Sequence, residues 1–95
     1  MEDTMQSCRD HICGTYARLP VVFERGRGCR LWDDQGREYL DFLAGIAVCN
    51  LGHSHPEVTR VLCQQADILV HVSNLFYTLP QTELAAELTR LSFAD

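Results

Sequence analysis

The sequence has 95 residues, and its 13 acidic side chains exceed its 8 basic ones, which gives a formal net charge of -5. A chain of this length normally forms one domain, and its hydrophobic fraction of 46% argues against a disordered tail. The acidic balance argues against a nucleic-acid module and against a polybasic membrane patch. All 8 basic residues are arginines, so no side-chain amine is present to form a Schiff base.

The first residues, 1–15, show neither helical nor strand periodicity, and we expect them to be a loose lead-in. They lack the cationic and apolar parts of a signal peptide, and no apolar run approaches the roughly 20 residues that span a bilayer. We therefore expect a soluble, cytoplasmic chain. The 5 cysteines are an odd number, which excludes complete internal pairing and predicts buried or half-buried free thiols.

Three short runs of β-branched and aromatic residues lie between positions 19 and 43. Turn-forming residues separate them, first at 26–28 and then at 34–36, where an Asp-Gln-Gly sequence supplies a residue free to take positive φ. The pattern predicts a three-stranded antiparallel meander over residues 19–43.

Residues in the third run alternate between two faces, as a half-exposed strand requires. Leu40 and Phe42 share one face, while Tyr39 and Asp41 share the other. A meander of this size is unstable unless another part of the protein covers its apolar face.

Two amphipathic helices are predicted next, over about 56–70 and 79–91. Pro56 fits the first turn of a helix, and apolar residues then recur at helical spacing. Thr78 and Gln81 form the pattern of a capping box at the start of the second helix.

His53 and His55 could present two imidazoles to a metal ion, with Cys49 or His71 completing the site. This spacing belongs to no recognised metal motif. Residues 54–57 already suffice as the start of a helix, so we expect a structural role and no metal.

No complete catalytic site can be recognised in the sequence. Gly26-Arg27-Gly28 is half of a phosphate loop, but a strand rather than a helix follows it. Asp33 and Asp34 stand beside a turn glycine, which favours turn formation over acid–base chemistry. We expect an α+β chain without catalytic residues.

The order of these pieces resembles the N-terminal part of class III pyridoxal-phosphate-dependent aminotransferases, from about Tyr16 to Asp95. Residues 65–66 and 71–77 look most like the acetylornithine branch of that class. The motifs that carry the resemblance are GRGCRLWD (26–33), GREYLDF (36–42), LAGIAV (43–48), LGHSHP (51–56), QA (65–66) and HVSNLFY (71–77).

The resemblance implies an α+β fragment of a fold type I enzyme that works as a homodimer. It implies pyridoxal 5'-phosphate as cofactor, with its main binding residues beyond Asp95. The implied reaction transfers the δ-amino group of N-acetylornithine to 2-oxoglutarate in arginine biosynthesis. We expect the 95-residue chain alone to be inactive.

The resemblance also implies positions near the substrate. Tyr16 matches a tyrosine that reaches the polar end of the substrate in ornithine aminotransferases, and Ile46 stands where those enzymes have a tyrosine. An aliphatic side chain cannot hydrogen-bond a free α-amino or carboxylate group, which favours the acetylornithine branch. A loop near the dimer interface and the active-site mouth is implied for Ser73, Asn74, Phe76 and Tyr77.

Two other functions stay open at this point. The chain could be a stand-alone interaction or regulatory module without catalytic activity, or a small metal-binding domain using His53, His55 and a cysteine. Among amino donors, succinylornithine, succinyl-diaminopimelate and 4-aminobutyrate also remain alternatives.

Overall fold

The structure, a computed structural model, describes residues 2–93. Its backbone contacts divide it into two compact units, residues 1–61 and 62–95. The first unit contains α1 (Glu2–His11), β1 (Phe23–Arg27), β2 (Arg30–Asp33), β3 (Glu38–Leu40) and the short α2 (Ala44–Ala47). The boundary falls within α3 (Pro56–Ile68), and the second unit also contains α4 (Leu79–Leu91).

The expected loose lead-in at residues 1–15 is wrong for α1, which is helical from Glu2 to His11. Its mostly polar sequence obscures the helical period, because the apolar stripe is short and consists of Met5 and Cys8 with Ile12 just beyond the helix. Side-chain hydrogen bonds one turn apart support it instead: Gln6 Nε2 donates to Asp10 Oδ1 at 2.8 Å, and Arg9 donates to Gln6 Oε1 at 2.6 Å. The acidic first turn and basic last turn also suit the helix dipole.

The predicted antiparallel meander is confirmed, with β2 in the centre of a three-stranded sheet. Pairing begins at Phe23 rather than at Leu19, although the Val22 carbonyl still accepts a hydrogen bond from the Asp34 N–H at 2.9 Å. A two-residue turn joins β1 to β2, and its first residue, Gly28, has a left-handed φ of 57°.

The side chains on the two faces of β3 and the residues after it differ in exposure, and those on the face of Tyr39 and Asp41 are the less exposed. Leu40 and Phe42 are 61% and 96% exposed, whereas Tyr39 and Asp41 are half-buried. Asp33, which Tyr39 contacts, is 3% exposed and is the only buried residue among those described. The sheet is therefore organised around a carboxylate, and its apolar face is open.

Helix α3 begins at Pro56 and ends at Ile68, two residues before the predicted end. Thr78 precedes α4 with an extended backbone, but its side chain makes no capping hydrogen bond. The predicted capping box is thus wrong in its bonding, because Gln81 Nε2 donates to Asn74 Oδ1 at 3.5 Å instead. No helix in residues 2–93 is long and apolar enough to cross a membrane.

The 5 cysteines are free thiols. Their expected burial is wrong for three of them, since Cys13, Cys29 and Cys63 are exposed, while Cys8 and Cys49 are half-buried.

No apolar side chain in the described part of the chain is buried. Both long helices expose their apolar stripes: Val61 and Leu62 of α3 are 52% and 65% exposed, and Leu84 and Leu88 of α4 are 61% and 58% exposed. Exposed apolar area on this scale is rare in monomeric soluble proteins and marks surfaces that another polypeptide covers.

We expect the isolated 95-residue chain to show no cooperative thermal transition, because no buried apolar core offsets the entropy of ordering the chain. Differential scanning calorimetry and near-ultraviolet circular dichroism would measure this, with the guanidinium-unfolded chain as reference. A soluble monomer that melts in a single step, with equal calorimetric and van't Hoff enthalpies, would contradict the expectation.

Candidate functional site

The carboxylate of Asp33 closes the turn between β2 and β3. Its Oδ1 accepts hydrogen bonds from the backbone N–H of Gln35 at 3.0 Å and of Arg37 at 2.8 Å. Its Oδ2 accepts from Arg37 Nε at 2.7 Å and from the Tyr39 hydroxyl at 3.0 Å. Asp33 is thus a turn former, as the sequence predicts, and has no acid–base partner in this network.

The hydrogen bonds also set the charge state of this carboxylate. Burial alone would raise the pKa of Asp33, but the bonds from Arg37, Tyr39 and Gln35 outweigh it and lower the pKa to about 2. The same network raises the pKa of Tyr39, chiefly because its hydroxyl donates to the Asp33 carboxylate. Asp33 is therefore a permanent anion at neutral pH.

A second carboxylate, Asp41, pairs with His53. Their Oδ2 and Nε2 atoms are 2.5 Å apart, and the side chains are 8% and 19% exposed. The hydrogen bond with His53 is the main cause that lowers the pKa of Asp41 to about 2, followed by the amides of Ala44 and Leu43. Because an ionised carboxylate only accepts hydrogen bonds, His53 Nε2 is the donor.

His53 is also joined to the β1–β2 turn through its backbone. The N–H of His53 donates to the Gly28 carbonyl at 2.8 Å, and the Gly28 N–H donates to the His53 carbonyl at 2.9 Å. Two other glycines permit this approach. A Cβ at Gly26 would lie 2.8 Å from the His53 side chain, and one at Gly52, whose φ is 96°, would lie 3.1 Å from the Gly28 Cα.

Between Asp41 and His53, the backbone makes a left-handed turn at α2. Ala44, Gly45, Ile46 and Ala47 have φ values of 53°, 63°, 60° and 64°. Ile46, for which the family resemblance implies a position near the substrate, lies within this turn and is 83% exposed. A β-branched residue with positive φ is a marked outlier, and nothing in the sequence signals it.

Tyr16, the other predicted substrate residue, follows α1. It lines a groove of about 560 Å³ together with Cys8, Ile12 and Leu19, and Ile46 does not line that groove. Arg18 lies over the Tyr16 ring, with its guanidinium carbon 5.9 Å from the ring centroid. Tyr16 is 77% exposed, so its ring and hydroxyl are open to a further molecule or polypeptide.

The four residues predicted at an active-site mouth form one loop of the second unit. Ser73 has a φ of 72°, and its Oγ accepts from the Leu75 N–H at 3.3 Å. Ser73 and Asn74 line a groove of about 170 Å³ beside His71. Phe76 and Tyr77 are 64% and 97% exposed. This loop presents an aromatic surface beside a groove of mixed polar and apolar lining.

The histidines do not assemble a metal site in the described part of the chain, which holds no group of three or more His, Cys, Asp or Glu side chains able to bind an ion. His53 is bonded to Asp41, and His55 Nδ1 is buried without a partner there. The Ser54 hydroxyl donates to the Gly26 carbonyl at 2.9 Å rather than capping α3. The Asp41–His53 pair could not be predicted from residue spacing, because the two residues are 12 positions apart in the chain.

Comparison with known proteins identifies the class. The family model for class III aminotransferases matches residues 13–95, and the chain belongs to this family. It is 52% identical over 94 residues to the mitochondrial acetylornithine aminotransferase of Alnus glutinosa, covering 99% of this chain and 21% of that protein. It is 56% identical over 90 residues to the acetylornithine aminotransferase of Gloeobacter violaceus, covering 95% of this chain and 22% of that protein.

Solved structures agree on the fold. The acetylornithine aminotransferase of Elizabethkingia anophelis matches with a TM-score of 0.90 at 36% identity, over 99% of this chain and 24% of that one. The ornithine δ-aminotransferase of Plasmodium falciparum matches with a TM-score of 0.91 at 31% identity, over 99% of this chain and 24% of that one. The chain spans about a fifth of the length of the curated relatives it matches.

A graft makes the Asp33 network testable within a whole enzyme: this chain replaces the aligned segment of the Gloeobacter violaceus protein. We expect Asp33→Asn to lower the Tm of the graft by about 3 °C, because the turn loses its charge-assisted hydrogen bonds. Differential scanning fluorimetry would measure the shift, with Glu24→Gln as an exposed control on β1.

The lowered pKa fixes how this Tm deficit depends on pH. A carboxyl with a depressed folded-state pKa contributes stability above its ordinary value of 3.8, and this contribution is lost as the pH falls to about 2. We therefore expect the same deficit for Asp33→Asn at pH 5 as at pH 7. A deficit that vanished at pH 5 would be inconsistent with the lowered pKa.

Proposed function

We propose that this chain is a scaffold segment of an acetylornithine-type aminotransferase, which transfers the δ-amino group of N-acetylornithine to 2-oxoglutarate in arginine biosynthesis. The observation that carries the proposal is the identity of 52% and 56% with two acetylornithine aminotransferases over nearly the whole chain. The exposed apolar stripes of α3 and α4 support a scaffold role, since the remainder of a subunit and its homodimer partner would cover them.

Pyridoxal 5'-phosphate is the cofactor proposed for the whole enzyme. It supplies the electron sink for amino-group transfer, and enzymes of this kind hold it through a lysine amine. The residues of this chain do not fit that requirement, because all 8 of its basic residues are arginines. We therefore propose that the 95-residue chain is inactive alone and assign no step of the transfer to its side chains.

The proposed part of this chain in the reaction is to shape the substrate pocket. Tyr16 offers a hydroxyl to the polar end of the amino donor, and its high exposure leaves that hydroxyl available. Ile46 provides an aliphatic wall that cannot pair with a free α-amino group, so it favours the acetylated donor.

The loop from Ser73 to Tyr77 is proposed to lie at the dimer interface and active-site mouth. The exposure of Phe76 and Tyr77 supports this, because large aromatic side chains are enriched where protein partners meet. A cytoplasmic homodimer is proposed for the whole enzyme on the same family resemblance.

We expect the isolated chain to take up no pyridoxal phosphate that sodium borohydride can fix on a lysine, since the chain contains none. The Gloeobacter graft should trap one cofactor per subunit and convert N-acetylornithine and 2-oxoglutarate to products. Intact-protein mass spectrometry and a glutamate-release assay would measure these outcomes. A folded graft that binds cofactor but has no activity with N-acetylornithine would contradict the proposed substrate.

The competing interpretation, a regulatory module, predicts a different result. Such a module would capture the intact Gloeobacter enzyme in a pull-down and change its rate without being part of its chain. Capture with a changed rate would contradict the scaffold proposal.

Ile46→Tyr tests the proposed selectivity. In the graft we expect this variant to raise kcat/KM for ornithine relative to N-acetylornithine by about tenfold, because a phenol adds a hydrogen bond to a charged group. Ile46→Leu is the matched control, since it keeps an aliphatic wall and should leave the ratio unchanged. If the ratio stays constant in both variants, then Ile46 does not line the substrate pocket.

A further inference from the structure

The left-handed turn at α2 is the most strained backbone in the first unit. Each of Ala44, Gly45, Ile46 and Ala47 has a φ between 53° and 64°. Consecutive left-handed residues are rare because the Cβ crowds the following carbonyl, and Ile46 adds a branched Cβ. Such a conformation persists only where the surroundings enforce it, and strain of this kind collects at functional sites.

The side-chain hydrogen bonds that support this conformation are made by one carboxylate, Asp41. Asp41 Oδ1 accepts hydrogen bonds from the N–H groups of Leu43 at 2.8 Å and Ala44 at 2.9 Å, at the entrance to the turn. Asp41 Oδ2 binds His53 beyond the exit, and His53 is fixed in turn by its two backbone bonds with Gly28. Asp41 therefore joins both ends of the segment to the sheet.

The side chain of Ile46 cannot anchor the turn itself. It is 83% exposed, whereas the Asp41 side chain is 8% exposed. The direction of the Ile46 side chain therefore depends on the backbone. Two backbone bonds within the turn hold that backbone, from the Ala47 N–H to the Leu43 carbonyl at 3.0 Å and from the Cys49 N–H to the Ala44 carbonyl at 2.9 Å, and the bonds made by Asp41 attach it to the sheet.

We propose that Asp41 and His53 are positioning residues of the substrate pocket: their hydrogen bond holds the left-handed turn and so fixes Ile46 against the amino donor. This inference rests on the proposed function, which places Ile46 beside the donor. If the bonds of Asp41 are lost, the turn relaxes toward ordinary backbone angles, and the aliphatic wall leaves its position. The enzyme would then discriminate poorly between acetylated and free ornithine.

The test uses the Gloeobacter graft and the ratio of kcat/KM for N-acetylornithine over ornithine. We expect Asp41→Ala to lower this ratio about tenfold, since small displacements of a positioning group have large kinetic effects. Asp41→Asn should restore most of the ratio, because its amide oxygen still accepts from Leu43 and Ala44 and its amide N–H can donate to His53 Nε2 in the other neutral tautomer. His53→Ala should lower the ratio in the same direction as Asp41→Ala.

A double variant separates positioning from general loss of stability. If Asp41 acts through Ile46, then adding Asp41→Ala to Ile46→Ala should lower the ratio no further than Ile46→Ala alone. Asp33→Ala is the matched control, because it removes a buried carboxylate from the same sheet without touching the turn. It should lower the Tm and leave the ratio unchanged. A drop in Tm without a change in ratio for Asp41→Ala would overturn the proposal.

Hydrogen exchange provides a readout that does not require activity. In the graft, Asp41→Ala should speed exchange of the amides from residue 43 to 49, whereas Asp33→Ala should not. Unchanged protection in Asp41→Ala would overturn the proposal whatever the kinetics show. If Asp41→Ala speeds exchange but the graft fails to use N-acetylornithine, then the result supports the role of Asp41 in stabilising the turn and contradicts the proposed function.

Discussion

The meander depends on the hydrogen bonds that the Asp33 carboxylate accepts. It receives four hydrogen bonds from Gln35, Arg37 and Tyr39, and it is the only buried residue in the described part of the chain. A small sheet without an apolar core normally lacks a reason to keep one register. Here a single anion ties the turn, its flanking strands and an aromatic hydroxyl together, so polar bonding takes the place that apolar packing has in a complete domain.

The sequence could predict those features that depend on residues close together in the chain. The turn at residues 34–36 and the strand runs beside it were legible because turn residues and alternation act between near neighbours. Helix α1 was not predicted, because most of its residues are polar and its apolar stripe is only Met5 and Cys8, with Ile12 just beyond its end. The pairing of Asp41 with His53 was missed because a hydrogen bond between distant residues leaves no trace in spacing. The left-handed Ile46 was missed because its residue type argues against that conformation.

The same contrast applies to the candidate site: sequence motifs indicate individual residues, and the structure shows the hydrogen bonds between residues that are distant in the chain. The resemblance in motif order indicates Tyr16 and Ile46. The structure shows that the turn carrying Ile46 is bonded to Asp41 at its start, and that Asp41 is bonded to His53 beyond its end. Two carboxylates of the first unit, the buried Asp33 and the half-buried Asp41, are hydrogen-bonded within it, whereas none of its described apolar residues is buried. This combination suits a segment whose hydrogen bonds are internal and whose hydrophobic contacts come from elsewhere.

The bonds between Gly28 and His53 have a consequence for the order of folding. The β1–β2 hairpin closes through a two-residue turn, which is a local event on the scale of about 1–10 μs. His53 must then return across the whole of β2, β3 and α2 before it meets Gly28, and this larger loop costs more entropy to close. The left-handed turn lies inside that loop, so it gains its support only when the loop closes. The turn that carries Ile46 would thus be among the last parts of the first unit to acquire its final shape.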